Sequence, residues 1–391
     1  MGMHQTHTYL EETILNLFTA LNIHLTKPLR TTLAELIVCL LENNKAHLSK
    51  LGEYLCDNHT KIMTPIQRIR RFLSNPKMSP SLTVKPLIYL MRPLLEKLPE
   101  IILIVDRTNW EKRRQYINIL SVAVSYKGRA LPLYWMVFGK KGNSSLEQWK
   151  QVLFPAIIVI QQMSWLSDKT IHIHVVADRE FASPKLAEWL KTIYDVTVTL
   201  RIKSSMYLTG EDTPEIKVAS LIRKMTKGSR HILYNQVLTR DSSFTMNVLL
   251  TWNKDYDEPL VVATTSGNPA TADNTYENRF NIEHMYKDWK SNAFDLEQTR
   301  VTDPKRIETI LIPIAFAYIL CVLEGERKEQ NGEVRTPPKG KARMVSLFLS
   351  GLRTISRYLQ RESLKQFKKF ILQLLQPVFQ TWNIRPATII R

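Results

Sequence analysis

Four residues with side chains suited to phosphate chemistry recur in "YENRFNIEHMYKDWK": Tyr276, Arg279, Glu283 and Lys290, separated by three, four and seven positions. If residues 276 to 290 form one helix, each residue turns by about 100° and these four point within about 60° of one another. Ile282, Met285 and Trp289 then fall on the opposite side, as a core stripe should. A solvated amphipathic face would carry charges too. A tyrosine, an arginine and a glutamate in one row suit a site that holds phosphates beside a metal ligand.

Two further carboxylates close apolar runs, Asp106 in "IILIVDRTNW" and Asp178 in "IHIHVVADREF". An aspartate after a strand is also a common turn former. If the two strands are parallel and end at one edge, the two carboxylates repel, and a divalent metal is the usual remedy. Arg179 and Glu180 follow directly; Arg179 has two open readings, a DNA contact or a pair with a neighbouring carboxylate.

The elements that must position these groups are legible in outline. Residues 1–95 read as several short helices, among them "TPIQRIRRFLSNP", with Thr64 as its cap, Pro65 at its first position and Arg68, Arg70 and Arg71 close together. A helix-turn-helix-like DNA-binding unit and a generic helical bundle both fit that pattern. From about residue 100 the order is three antiparallel strands turning at Lys127-Gly128-Arg129, then helix, strand, helix capped by Ser183-Pro184, and strand: a mixed α/β layout. Residues 204–265 read as a β-rich insertion, and the chain turns helical from 270. "VRTPPKGKAR" (334–343) reads as an exposed basic linker. Arg353, Arg357 and Arg361 recur every four residues, so a helix shows them as a stripe; phosphate contact, a dimerising surface and a solvated face all fit it.

The 391 residues allow two or three domains. A formal charge of +18 and a pI of about 9.7 favour a polyanionic partner, most simply nucleic acid. Cys39, Cys56 and Cys321 form no C-x-x-C pair, so neither a zinc module nor a disulfide framework is indicated. His172 and His174 share one strand face and read as surface histidines. "GKKGNS" lacks P-loop spacing, and no G-x-S-x-G is present. The N-terminus lacks the pattern of a secretory signal. The apolar run in "ILIPIAFAYILCVLEGE" is about 14 residues before a charge, short of the roughly 20 a membrane span needs.

Tyr276-x2-Arg279-x3-Glu283-x6-Lys290 resembles the Y-x2-R-x3-E-x6-K signature of bacterial DDE transposases of the insertion sequence four family. "DRTNW" around Asp106, "ADREF" around Asp178 and "KKGNSS" (140–145) resemble that family's other blocks, in the same order, over residues 100–325. The resemblance implies a ribonuclease-H-like catalytic core, a mixed sheet with flanking helices, at residues 96–203 and 266–325. A β-rich insertion would interrupt it at 204–265, a helical DNA-binding region would precede it at 1–95, and a basic helical region would follow at 326–391. It implies Asp106, Asp178 and Glu283 as catalytic residues and as ligands of two Mg²⁺ ions, with Mn²⁺ as substitute. Tyr276, Arg279 and Lys290 would contact DNA, with Arg179 and Trp252 as further candidates. Some relatives stack a tryptophan of the insertion on a flipped base. Trp252 is the only tryptophan of the insertion, although a core or sheet-edge role is the plainer reading. The implied reaction is cut-and-paste transposition of double-stranded DNA through hairpin ends by a homodimer. Its place would be the bacterial cytoplasm at the nucleoid, without membrane attachment. A DNA-binding regulator and a nuclease on the same fold are the alternatives.

Overall fold

The structure is a computed structural model that describes the chain apart from residues 1, 22, 56–62, 113, 164, 166–171, 212, 240, 241, 335–344, 383–385 and 387–391. Cys56 and nearly all of the basic segment 334–343 lie outside the described residues. The N-terminal region is helical as expected: α1 (Gly2–Ala20), α2 (Lys27–Asn43), α3 (Leu48–Tyr54), α4 (Met63–Leu73) and α5 (Val84–Leu95). Helix α4 already includes Met63, so Thr64 sits inside the first turn and does not cap it. Arg68 is drawn to Glu35 of α2 at 2.8 Å, while Arg70 and Arg71 stay exposed.

Lys127 and Gly128 both take positive φ, 43° and 78°, which matches the twist a tight hairpin needs. They join β2 (Gln115–Tyr126) to β3 (Arg129–Phe138), and β2 pairs antiparallel with β1 (Ile101–Lys112). Helix α6 (Leu146–Gln161) follows, held at its start by a capping box of Ser145 and Gln148. Then come β4 (Ile173–Ala177), α7 (Pro184–Tyr194), whose cap Ser183 accepts from the Leu186 N–H, and β5 (Thr197–Arg201). Strands β1, β4 and β5 run parallel. The alternation of strand, strand, strand, helix, strand, helix, strand is thus present in the expected order.

Residues 204–265 hold β6 (Tyr207–Gly210), β7 (Thr213–Lys217), the short α8 (Val218–Ile222), β8 (Arg230–Val237), β9 (Thr245–Thr251) and β10 (Leu260–Thr264). These strands prolong the same sheet, because β10 pairs antiparallel with β5, giving the order β3-β2-β1-β4-β5-β10-β9-β8-β6-β7. His174 is not a surface histidine. Its Nε2 lies 2.8 Å from the Thr199 hydroxyl inside the sheet and its Nδ1 lies 3.5 Å from Glu100, which leaves the ring buried.

The signature segment is helical throughout but changes pitch. It comprises α9 (Ala272–Glu277), a 3-10 turn (Asn278–Phe280), α10 (Asn281–Lys287) and a π-turn (Asp288–Asn292). The π-turn coincides with a buried charge. The Asp288 carboxylate lies 3.2 Å from Arg129 Nη1 at the start of β3 and accepts from the Tyr318 hydroxyl at 3.4 Å. Ile282, Met285 and Trp289 are buried, so the expected core stripe survives the change of pitch.

Helix α11 (Pro304–Gln330) runs 27 residues, well past the apolar run read from the sequence, and is long and apolar enough to cross a membrane. Its most apolar stretch is 94% buried inside the fold, as befits a core helix. Its Glu308 ties it to β3, accepting from the Val137 N–H at 3.1 Å, while the Glu308 carbonyl accepts from Trp135 Nε1 at 2.9 Å. Helices α12 (Leu347–Arg361) and α13 (Leu364–Thr381) complete the helical layer. At the α11–α12 crossing the backbones touch: a Cβ on Gly351 would overlap the Cys321 carbonyl, and one on Gly325 would overlap the Leu347 carbonyl.

Candidate active site

Parallel pairing sets the first two acids abreast. The register matches Val105 with Ala177, so the next residues, Asp106 and Asp178, emerge side by side from strands spaced about 4.8 Å apart. Strand β1 does not end at Asp106; it continues to Lys112 as an arm of the β1–β2 hairpin. Only β4 stops there, and Asp178 opens a 3-10 turn of residues 179–181. The edge therefore comes from one strand that stops beside one that goes on.

Each acid is held by a different set of donors. Asp106 Oδ1 accepts from the Arg107 N–H at 2.8 Å, and Oδ2 faces Arg279 Nη1 at 3.4 Å. The Asp106 carbonyl accepts from the buried Tyr286 hydroxyl at 2.8 Å. Burial pushes the Asp106 carboxyl up to about 6; the Arg107 N–H and Arg279 oppose that shift, while Asp178 and Glu283 add to it. Asp178 Oδ1 accepts from the Tyr276 hydroxyl at 3.0 Å, with Arg201 Nη1 at 3.9 Å. Burial and the charge of Asp178 keep that phenol protonated.

Glu283 lines the same cleft as Asp106 and Asp178, together with Arg279, Lys287 and Lys290. Its exposed carboxylate turns to Arg279 Nη2 at 2.6 Å. The Arg279 guanidinium thus bridges Asp106 and Glu283, with its side chain only 6% exposed and stacked 4.4 Å from the Phe280 ring. Its Nε is buried and has no acceptor among the described residues. Lys290 Nζ reaches the Asn109 carbonyl at 3.3 Å and pairs with Glu297 at 2.8 Å. Helical placement alone does not reveal this inward packing: Tyr276 and Arg279 are buried against the acids, and Lys290 is engaged by the extended arm of β1 and by Glu297.

The remaining sequence candidates lie at the margins. Arg179 sits on the same edge, exposed, with Nη2 3.5 Å from Glu258. Trp252 follows β9, half-buried, and donates Nε1 to the Tyr256 carbonyl at 3.0 Å. It lines a cavity of about 590 Å³ that also includes Arg201, Arg230, Tyr276 and Phe280. Arg107 was passed over by sequence reasoning, as was the weight of Glu180. Arg107 carries one signal in the sequence, the Asp-Arg that "VDRT" shares with "ADRE".

The donor set suits a hard divalent cation: three carboxylates line one cleft, and burial raises the carboxyl of one of them, Asp106, despite the neighbouring guanidinium. Among the described residues no three acids or histidines stand close enough to cage an ion without movement. Glu283 is the exposed member of the three, and its partner Arg279 is the cation it would exchange.

The strand order 3-2-1-4-5 at the sheet's core fits a ribonuclease-H-like fold, and on it two aspartates stand abreast beside a glutamate from a following helix. Residues 97–320 match the Transposase DDE domain family, and the chain belongs to it. No curated protein is matched by the chain. Members of this family act on DNA and generally use divalent metal ions.

Proposed function

We propose that the protein is a cut-and-paste DNA transposase of the insertion sequence four type, which cleaves the inverted-repeat ends of its element and joins them to target DNA. The observation that carries this reading is the pairing of Val105 with Ala177, which sets Asp106 beside Asp178 on the cleft that Glu283 also lines. Asp106, Asp178 and Glu283 would hold Mg²⁺, or Mn²⁺ as substitute. A pair of such ions held there would supply the charge that stabilises the attacking and leaving oxygens of an in-line displacement. Water attacks in the first cut; the freed 3′-hydroxyl then attacks the opposite strand to close a hairpin at each end, a second water reopens the hairpin, and the 3′-hydroxyl so regenerated attacks the target.

The chain's own residues do the rest. Glu283 leaves Arg279 to complete the carboxylate set, and the freed guanidinium fork takes a phosphate bidentately. Lys290 offers a mobile point charge on the same cleft. Tyr276 fixes the Asp178 carboxylate and leaves its ring edge to the adjoining cavity. That cavity, with Trp252, Tyr256 and Phe280 around it, suits a base unstacked at the transposon end, and Arg179 flanks the same edge. Residues 1–95 and the basic C-terminal region supply further DNA contacts, and two copies assemble on paired ends in the cytoplasm, at the nucleoid.

The test uses labelled DNA carrying the repeats that flank the coding sequence, with Mg²⁺ or Mn²⁺, and Asp106→Ala as control. Metal-dependent nicks and joined products from the unmodified protein, absent with Asp106→Ala, are expected. A folded, end-binding protein that neither cuts nor joins sinks the catalytic reading.

A further inference from the structure

One carboxylate outside the triad gathers more donors than any of the three. Glu180 accepts from Arg107 Nε at 2.9 and 3.0 Å, from the Ser144 N–H at 2.9 Å and from the Ser144 hydroxyl at 2.7 Å. Arg107 follows Asp106 directly, and Glu180 lies two residues past Asp178. The backbone beside each aspartate, mid-strand in β1 and past the end of β4, is therefore fastened to one turn, residues 140–145.

That turn has little cohesion of its own. Gly142 takes a φ of 102°, open to glycine and strained for other residues. The turn is pinned from outside. Asn118 of β2 donates to the Gly142 carbonyl at 3.1 Å, Arg107 Nη2 donates to Asn143 at 3.2 Å, and Trp149 Nε1 donates to the Ser144 hydroxyl at 2.7 Å. The turn presents Lys140 and Lys141, both exposed. Their ammonium groups sit 5.6 Å from the ring centres of Phe138 and Tyr116 respectively. Among the described residues neither has a carboxylate partner, whereas Arg107, Arg279 and Lys290 on the same edge all do.

We propose that Glu180 is a positioning residue that clamps the 140–145 turn to the carboxylate edge, so that Lys140 and Lys141 form a phosphate-contact point for DNA beside the active site. The inference rests on the DNA-processing reading of that site. A clamp of this kind keeps two uncompensated cations at a fixed offset from Asp106, where the phosphates beside the cut would lie. Without it the turn keeps only its bonds to Asn118, Arg107 and Trp149, and the lysines are held less firmly at that offset.

A double-mutant cycle on DNA binding tests this. The affinity of a plain duplex is followed against salt in EDTA, so that the outcome does not depend on cleavage. In the unmodified protein, Lys140→Gln with Lys141→Gln should flatten the log–log salt slope by about 1.8, roughly 0.9 per lost phosphate contact. Between 50 and 200 mM salt that is about a tenfold difference in how steeply affinity falls. In the Glu180→Ala background the same lysine changes should flatten the slope much less. Glu180→Gln, which keeps an oxygen acceptor for Ser144, provides the same comparison if the alanine variant does not fold. An unchanged slope for the lysine variant overturns the contact, and full additivity in a folded Glu180 variant overturns the clamp. Coupled binding in a protein that fails to cut would keep this inference and remove the catalytic one.

Discussion

Arg279 is the residue whose placement most changes the reading of the site. Its type and spacing suggested a phosphate ligand; its position shows a cation shared by Asp106 and Glu283. A divalent ion can substitute for that charge. We therefore expect Arg279→Ala to lower the melting temperature in EDTA and to gain more stability from added Mn²⁺ than the unmodified protein does, read by thermal shift. An equal gain in both proteins would show that the guanidinium and the metal do not compete. Asp288 supports the site from further off. Burial raises its carboxyl to about 6, against the pull of Arg129. A carboxyl raised on folding is stabilising when protonated, so this contribution is present below about pH 4 and is lost as pH rises through about 6. The span corresponds to at most about 3 kcal/mol. Asp288→Asn should remove that part of the pH dependence, which a comparison of melting temperatures from pH 4 to 7 would detect. Parallel curves for the two proteins would mean that the carboxyl titrates alike in both states.

At the scale of elements, two contacts set the geometry. The β1–β4 register places the aspartates, and the α11–α12 crossing backs the sheet. Gly325 and Gly351 let those two helices meet backbone to backbone. Gly351→Ala would force them apart and should cost on the order of 3 kcal/mol or more, in the range of overpacked cores. Urea denaturation would measure it; a loss under 1 kcal/mol would show that the crossing can relax. The element order and the Ser183-Pro184 start of α7 were legible because they rest on local chemistry, whereas the Thr64 start of α4 was not met and the Ser145 capping box of α6 was not read from the sequence. The pitch change at 288–292 was not legible, because its buried partner, Arg129, comes from 159 residues away.

For the whole molecule, a charge of +18 makes DNA affinity depend on counterion release. If 6–10 phosphates are contacted, affinity should fall by roughly 10³ to 10⁵ between 50 and 200 mM salt. A flat response in a filter-binding or fluorescence titration would rule out phosphate-dominated contact. Folding also gathers strands that read as an insertion into the same sheet. The cavity around Trp252 and the carboxylate cleft therefore lie on one framework, with Tyr276 between them.

The amino-acid sequence by itself determined which groups were available: two aspartates closing apolar runs, and a tyrosine, arginine, glutamate and lysine at helical intervals opposite a core stripe. Those follow from side-chain type and backbone period, which are local properties. Tertiary structure alone decided that Asp106 and Asp178 stand abreast, because strand register is a pairing between residues 72 positions apart. It also decided that Arg279 faces inward and that Glu180 binds the turn carrying Lys140 and Lys141. A charge settles where its partners are, and those partners arrive only when distant strands are brought to one edge.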